Sequence, residues 1–488
     1  MIWAAAPEIV LSVTGILVLL RGARGTPSSK GDLSLGSSSA GWFCLFGILV
    51  AAAANGWLHG VHVTEAGGPL ALDGLRLYSN WILLAAAAGT TLISFGYNYR
   101  MKLQPGEYHG LILFATVGMM LMVGAADLML LFLGLEVMSI AVYAMAALDR
   151  RSRQSAEAGI KYFLLGAFST GFFLYGIAFI YGATGSVEFE AVKQVLASGA
   201  ADRDFLVIGV LLLVIGFGFK VAVVPFHMWT PDVYEGSPAP VTAWMSTAVK
   251  AAAFVAFLRV FFTVFDGPAE YEIWHPVLLW LAAITMVVAN LIALAQENVK
   301  RMLAYSSIAH AGYLLAAIAA GNQAGADALL FYLLIYTVSN LGAFAIVIAV
   351  SHHSEERLDV NDYRGIGRAS PLLALLLTVF LLSLAGFPGT GGFMGKIFIL
   401  RSAADAGLWP LAVTLVLTTV ISYWYYLRLA WKMWMNAGEE GAHAHLAAPL
   451  PMRLALFACL AVVLYTGIFA GELLDVVTDS AAVLEAGR

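Results

Sequence analysis

Charged residues are scarce in this 488-residue chain: Asp, Glu, Lys and Arg make up 12% of it, against 61% hydrophobic residues. Soluble globular domains carry about twice that charged fraction, so a water-soluble fold is excluded. The net charge of −5 is small. No basic stripe exists that would hold a phosphate backbone, which excludes nucleic acid as a partner. Cysteine is nearly absent. Cys44 and Cys459 both sit in apolar runs, too few for a metal or iron–sulfur cluster, and they read as packed thiols. No GxGxxG or GxxxxGK[ST] pattern offers a nucleotide cradle. Any redox chemistry coupled to this chain therefore belongs to other subunits.

What the sequence has instead is a succession of apolar runs, each about 18–25 residues long, which read as membrane-spanning helices. About 14 are expected, at 2–20, 41–59, 78–97, 108–124, 127–147, 159–182, 205–229, 240–265, 275–296, 301–320, 326–350, 371–402, 408–434 and 452–474. The first lacks the cationic start of a signal peptide and reads as a retained helix. Pro225 interrupts the seventh. The glycines and proline of GFPGTGG (386–392) break the twelfth into two half-helices. Residues 1–488 form a single all-α integral membrane domain, with no linker long enough to join a second. Residues 183–204 have the composition of a short amphipathic surface helix. His443 and His445, and the segment 351–357, read as solvated loop rather than metal ligands.

Basic residues set the orientation. Loops after odd-numbered helices carry Arg21, Arg24, Lys30, Arg100, Lys102, Arg150, Arg151, Arg153, Lys300, Arg301, Arg357, Arg364, Arg368, Lys432 and Arg453. Loops after even-numbered helices carry Arg76, Lys193, Arg203 and Arg401. Odd-numbered loops are thus expected on the cytoplasmic side, with both termini opposite.

Few ionisable residues fall inside the spans. They are Glu136 in helix 5, Lys220 in helix 7, Lys250 in helix 8, His310 in helix 10 and Lys396 after the break in helix 12. Unpaired, they would together cost about 10–14 kcal/mol to insert, so partners or water are required. One carboxylate cannot neutralise three lysines, which argues against a purely structural pair. His227 follows Lys220 by about two helical turns, and an unbroken helix would put both on one face. Burial weakens a lysine's hold on its proton and a nearby carboxylate strengthens it. A row of such groups joined by water, Ser, Tyr and His is a proton relay controlled by charge, and helix breaks free backbone groups to hold that water. Lys161 at the start of helix 6 reads equally as an interface anchor. Arg259 and Arg428, near helix ends, are expected to be interface anchors as well, and Asp127 an N-terminal helix acid.

LGLEVMSIAVYAM around Glu136, FKVAVVPFHMWTPDVYEGSPAPVTAWMSTAVK, ENVKRMLAYSSIAHAGYLL and GFPGTGGFMGKIFIL together resemble the antiporter-like proton-pumping subunits of respiratory complex I. YEGSP after helix 7 favours the N type over the M type. The short stretch after helix 14 speaks against the L type, which carries a long lateral helix. The resemblance implies two inverted five-helix repeats, helices 4–8 (108–265) and 9–13 (275–434), preceded by three helices (1–107) and followed by one (452–474). It implies a controlling Glu136–Lys220 ion pair, Lys250 as central proton carrier and Lys396 toward the outlet. His227 and His310 would bridge water wires, with Tyr305 joining them and Lys161 in support. It further implies a bacterial inner-membrane location and other membrane-arm subunits as partners. NADH, FMN, iron–sulfur clusters and a quinone would be confined to other subunits, with no cofactor or metal in this chain. The competing expectations are a cation/proton antiporter subunit of the Mrp type, which shares ancestry and buried lysines, and a non-pumping structural subunit.

Overall fold

A computed structural model describes residues 2–24, 33–60, 68–351, 356–438, 446 and 448–484. His443, His445 and residues 352–355 lie outside them. The described residues form helices throughout, and 13 of the helices are long and apolar enough to cross a membrane. They are α1 (Ala6–Arg24), α2 (Leu33–His59), α3 (Gly74–Ser94), α4 (Pro105–Val123), α5 (Leu128–Ala146), α6 (Arg153–Thr184) and α7 (Arg203–Val221). After these come α8 (Ala239–Thr263), α9 (Pro268–Leu294), α10 (Val299–Ala319) and α11 (Gln323–Val350). The interrupted twelfth span is α12a (Pro371–Ala385) with α12b (Gly391–Asp405), and α13 (Trp409–Met435) and α14 (Leu450–Ile468) end the series. The expected surface helix is Phe189–Ser198. A second amphipathic helix, Ala470–Ala481, follows α14 and was not expected from the sequence.

α8, α10 and α11 are buried almost along their whole lengths, whereas α1, α6, α13 and α14 bury less than half of theirs. A helix apolar on every side belongs at the centre of a bundle. On the periphery, Leu164, Phe168, Val420 and Trp424 are exposed, as suits lipid or apolar partners. Contacts recur in the same order along the chain: α4 packs on α5, α6 on α7 and α8 on α4, while α9 packs on α10, α11 on α12b and α13 on α9. Two isolated β-bridges echo this order. Asp127, the N-cap of α5, pairs with Glu188 just after α6; Asn298, the N-cap of α10, pairs with Asp359 just after α11.

Both expected breaks are present, and side chains take up some of the backbone groups they release. α7 stops at Ala222, which takes a left-handed conformation (φ 62°) at a cost of roughly 1–2 kcal/mol for a residue with a Cβ. Past it, Val224 N donates to Thr285 Oγ1 at 3.0 Å, and Trp229 Nε1 donates to Phe219 O at 3.1 Å. At the other break Gly386 has φ 88°, and a Cβ there would lie 2.9 Å from Lys396 Cδ, so glycine serves both the turn and the lysine's approach.

Two sequence expectations about arginine and lysine are corrected, and the partners of Arg428 at a helix end are defined. Arg259 is no interface anchor: it is buried, its two Nη atoms donate to Asp73 at 2.7 and 2.8 Å, and its Nε donates to Val123 O. Arg428 bonds the carbonyls of Leu294 and Gln296 and so closes the end of α9. Arg76 and Lys300, counted as loop residues, lie in the first turns of α3 and α10 and are fully buried. Arg76 pairs with Glu8 at 2.7 Å and Lys300 with Glu356 at 2.7 Å. These pairs were missed because hydropathy windows blur the first turn of a helix, where a long basic side chain can reach inward. Asp127 is the helix acid it was taken for, its carboxylate accepting from Leu130 N at 2.7 Å.

Removing one partner of a buried pair strands the other charge. Asp73→Ala is therefore expected to cost about 3–5 kcal/mol, read as a lower thermal midpoint of the solubilised protein. Substitution of the exposed Glu107, paired with Arg150 at the surface, should leave that midpoint nearly unchanged.

Candidate functional site

A buried polar line runs through α8, α10, α11 and α13. α8 is wound as a π-helix over Met245–Val249, immediately before Lys250. Such a local widening of the turn re-aims the residues that follow. Lys250 Nζ, buried, donates to Ser307 O at 2.5 Å and Ser307 Oγ at 2.6 Å. Ser306, Ser307 and His310 share one face of α10 by their spacing. Ser306 Oγ bonds the Tyr426 hydroxyl of α13. His310 reaches that same hydroxyl through Nε2 at 3.0 Å and the Tyr332 hydroxyl of α11 through Nδ1 at 2.7 Å. Both ring nitrogens of His310 are thus engaged by groups that can donate or accept, the arrangement a proton-passing imidazole needs.

Lys396 lies beyond this cluster. Its Nζ donates to Ala385 O, the last carbonyl of α12a, at 2.9 Å and sits 4.9 Å from the centre of the Tyr313 ring. Tyr313 continues the polar contacts: Asn290 Nδ2 donates to its hydroxyl at 3.2 Å, and Tyr425 donates to Asn290 Oδ1 at 3.0 Å. Tyr336, whose ring lies 5.1 Å from that of His310, accepts at its hydroxyl from Asn340, which also donates to Ser246 in the π-helical turn.

Lys220, the last cation of α7, forms a separate station. Its Nζ donates to Ser139 Oγ at 2.8 Å and lies 5.7 and 5.6 Å from the ring centres of Tyr143 and Tyr162. The expected Glu136–Lys220 ion pair is not formed as a contact, since no nitrogen–oxygen approach within 4 Å links them. Ser139, one turn along α5 from Glu136, takes the lysine instead. Glu136 is half-buried, and its Oε1 has no hydrogen-bond partner.

Three expected supporting residues are not joined to this line. His227 lies past the α7 break, so the one-face arrangement with Lys220 does not arise, and its buried Nδ1 has no hydrogen-bond partner. Tyr305 packs half-buried against apolar side chains and bonds neither histidine. Lys161 is 40% exposed and belongs to a network at one end of the bundle, pairing with Glu157 and Asp232 while Arg301 pairs with Asp232 and Glu235. Among the described residues no group of three or more His, Cys, Asp or Glu converges to hold a metal ion.

A family model described as "NADH:quinone oxidoreductase/Mrp antiporter, TM" matches residues 125–422, which hold Glu136, Lys220, Lys250, His310 and Lys396. An NADH-quinone oxidoreductase subunit N of Trichlorobacter lovleyi is 48% identical over 437 residues, covering 89% of this chain and 88% of its own. The chain belongs to this family. A subunit N 1 of Solibacter usitatus is 41% identical, with 98% and 97% of the two chains covered. Among solved structures, a chain of respiratory complex I from Thermus thermophilus shares 36% identity and superposes with a TM-score of 0.81 over 97% of this chain and 100% of that one. A chain of the Mrp complex of a Dietzia species, 21% identical with 99% and 98% covered, has the same fold at a TM-score of 0.82. Family membership and the thirteen apolar helices make the chain a multi-pass membrane protein.

Ser and Tyr were expected in the relay in general, but the particular serines and tyrosines that line it were not singled out. Ser139, Ser307, Tyr332 and Tyr426 are ordinary in composition, and only the spacing of Ser306, Ser307 and His310 within YSSIAH hinted that hydroxyls would face the histidine.

Two outcomes follow from this geometry. Tyr426→Phe deletes the hydroxyl shared by Ser306 and His310, and should destabilise the solubilised protein by about 1–3 kcal/mol. The second concerns acid. Burial opposes ionisation of Asp232, but the hydrogen bonds from Lys161 and Arg301 outweigh it and hold its carboxyl below the usual range. A carboxyl lowered on folding contributes stability above its unfolded value of about 3.9, lost as pH falls through the folded value. The thermal midpoint should therefore fall below about pH 4, and the fall should be shallower in Asp232→Asn.

Proposed function

We propose that this chain is a proton-translocating membrane subunit of an NADH–quinone oxidoreductase, one module of a translocase whose redox chemistry takes place in other subunits. The observation that carries this reading is the buried Lys250 ammonium, held by Ser307 alongside the Ser306–Tyr426–His310–Tyr332 series. A cation at that depth is costly and marks an ion pathway by default. The named relatives, which are subunits N of that enzyme, support the assignment of the whole complex. NADH, FMN, iron–sulfur clusters and the quinone belong to the other subunits on this reading, and the partners are further membrane-arm subunits.

Lys220, Lys250 and Lys396 act as successive proton carriers, with Glu136 setting the charge beside the first. Quinone reduction elsewhere supplies the energy, passed along by charge: a cation added at one station weakens the hold of the next on its proton. The breaks after α7 and within α12 free backbone groups and leave room for water at membrane depth. The recurring helix contacts and paired β-bridges support two repeats, α4–α8 and α9–α13. The location is the bacterial inner membrane, with both termini on the non-cytoplasmic side. Arg76 and Lys300 no longer count among the loop charges behind that orientation, and the contrast between the two sets of loops survives without them. An Mrp-type antiporter subunit would instead show sodium-dependent exchange in vesicles without NADH or quinone.

In membrane vesicles carrying the assembled enzyme, Lys250→Ala should retain assembly and lose proton pumping by more than about tenfold. Glu136→Ala should impair turnover, and Glu136→Asp less so. Normal pumping in an assembled Lys250→Ala enzyme would remove the central carrier from the account.

A further inference from the structure

At the Lys220 station the acceptor is the hydroxyl of Ser139. Ser139 lies one helical turn from Glu136 on α5, so the two side chains are neighbours on one face. Its hydroxyl donates its single proton to Leu135 O at 2.5 Å and accepts from Lys220 Nζ at 2.8 Å. With the donor committed, what the hydroxyl offers the lysine is a lone pair, which matches an N–H donor. Glu136 meanwhile keeps a buried oxygen, Oε1, without any hydrogen-bond partner. A carboxylate oxygen left in that condition is costly unless some arrangement of the protein satisfies it.

Lys220 lies over two aromatic rings and beside a small space. Its Nζ lies beside the rings of Tyr143 and Tyr162, which themselves meet edge to face at 4.7 Å between centres. A narrow pocket lined by Leu135, Tyr143, Ser169, Thr170 and Lys220 opens between α5, α6 and α7. Aromatic faces attract an ammonium without fixing its direction, unlike a hydrogen bond. The side chain can therefore swing between acceptors on the same face of α5 while staying over the rings.

We propose that Ser139 is a positioning residue that holds the Lys220 ammonium off Glu136, so that the lysine alternates between the serine hydroxyl and the free Glu136 oxygen. The inference rests on the proton-translocation reading and adds to it a neutral parking site. With the ammonium on Ser139, Glu136 is left unneutralised; with it on Glu136, the charges cancel. The difference between the two positions is what neighbouring stations sense. Without the serine the ammonium loses the acceptor that draws it away, and it stays with the carboxylate.

The test uses the assembled enzyme in membrane vesicles, comparing NADH-driven proton pumping with quinone reduction. Ser139→Ala should lower pumping about tenfold, the loss expected for one hydrogen bond to a charged group, and Ser139→Thr should restore most of it. The loss should depend on the carboxylate. In a Glu136→Gln background, where nothing traps the lysine, Ser139→Ala should change the remaining rate by less than about twofold. A serine that merely packs would give the same fold-change in both backgrounds, and that result would overturn the proposal. If Ser139→Ala fails to assemble, Ser139→Cys, which keeps the side-chain size with a weak acceptor, is read in its place against the same two outcomes. Wild-type pumping by an assembled Ser139→Ala enzyme, with Lys250→Ala inactive, would sink this inference and leave the proton-translocation reading standing.

Discussion

A charge inside an apolar bundle must find its partners within the protein, and the cations here do so in two distinct ways. Arg76 meets Glu8, Arg259 meets Asp73 and Lys300 meets Glu356, each at 2.7 Å. Lys220, Lys250 and Lys396 meet a serine hydroxyl, a serine hydroxyl with its carbonyl, and a helix-end carbonyl. The first group is locked: loss of a proton or a partner would strand a buried charge. The second is held by neutral dipoles that accept from an amine as well as from an ammonium. Such sites tolerate a change of protonation, which is the property a proton carrier requires.

The fold serves this division. The locked pairs tie α3 to α1 and α8, and α10 to the segment after α11, fixing the ends of the central helices. Between those ends, α8, α10 and α11 are surrounded on all sides and carry Lys250 with its serine and histidine neighbours, while Lys220 on α7 and Lys396 on α12b flank them. The irregular backbone lies next to the lysines: the α7 break follows Lys220, the π-helical turn precedes Lys250, and the α12 break turns at Gly386 against Lys396. Helical hydrogen bonds are relinquished where a side chain must be aimed or a polar group satisfied at depth.

Much of this was legible in the sequence because apolar length is a strong signal. The fourteen expected spans correspond to thirteen continuous helices and one interrupted one, and Pro225 and GFPGTGG marked the breaks. Lys220, Lys250 and Lys396 stood out because lysine is rare at such depth. The partners did not stand out: Ser139 and Tyr426 are unremarkable in any window, and their value comes from which helix faces them. Arg259 was misjudged because nearness to a helix end does not reveal a carboxylate at the start of α3. His227 was placed by helical periodicity in a stretch where the helix has already ended. The π-helical turn has no sequence signature that propensity or spacing captures.

Proton transfer through the chain requires a polar path that links the Lys220 station to the Lys250–His310 cluster and onward to Lys396 through water held among these side chains. Ordered water in a high-resolution cryo-electron-microscopy map of the assembled enzyme tests that most directly. Water density bridging Lys220 to Lys250, and the Tyr332–His310 cluster to Lys396, is the expected result. Closely packed apolar side chains filling those two gaps, with no water between the stations, would contradict it.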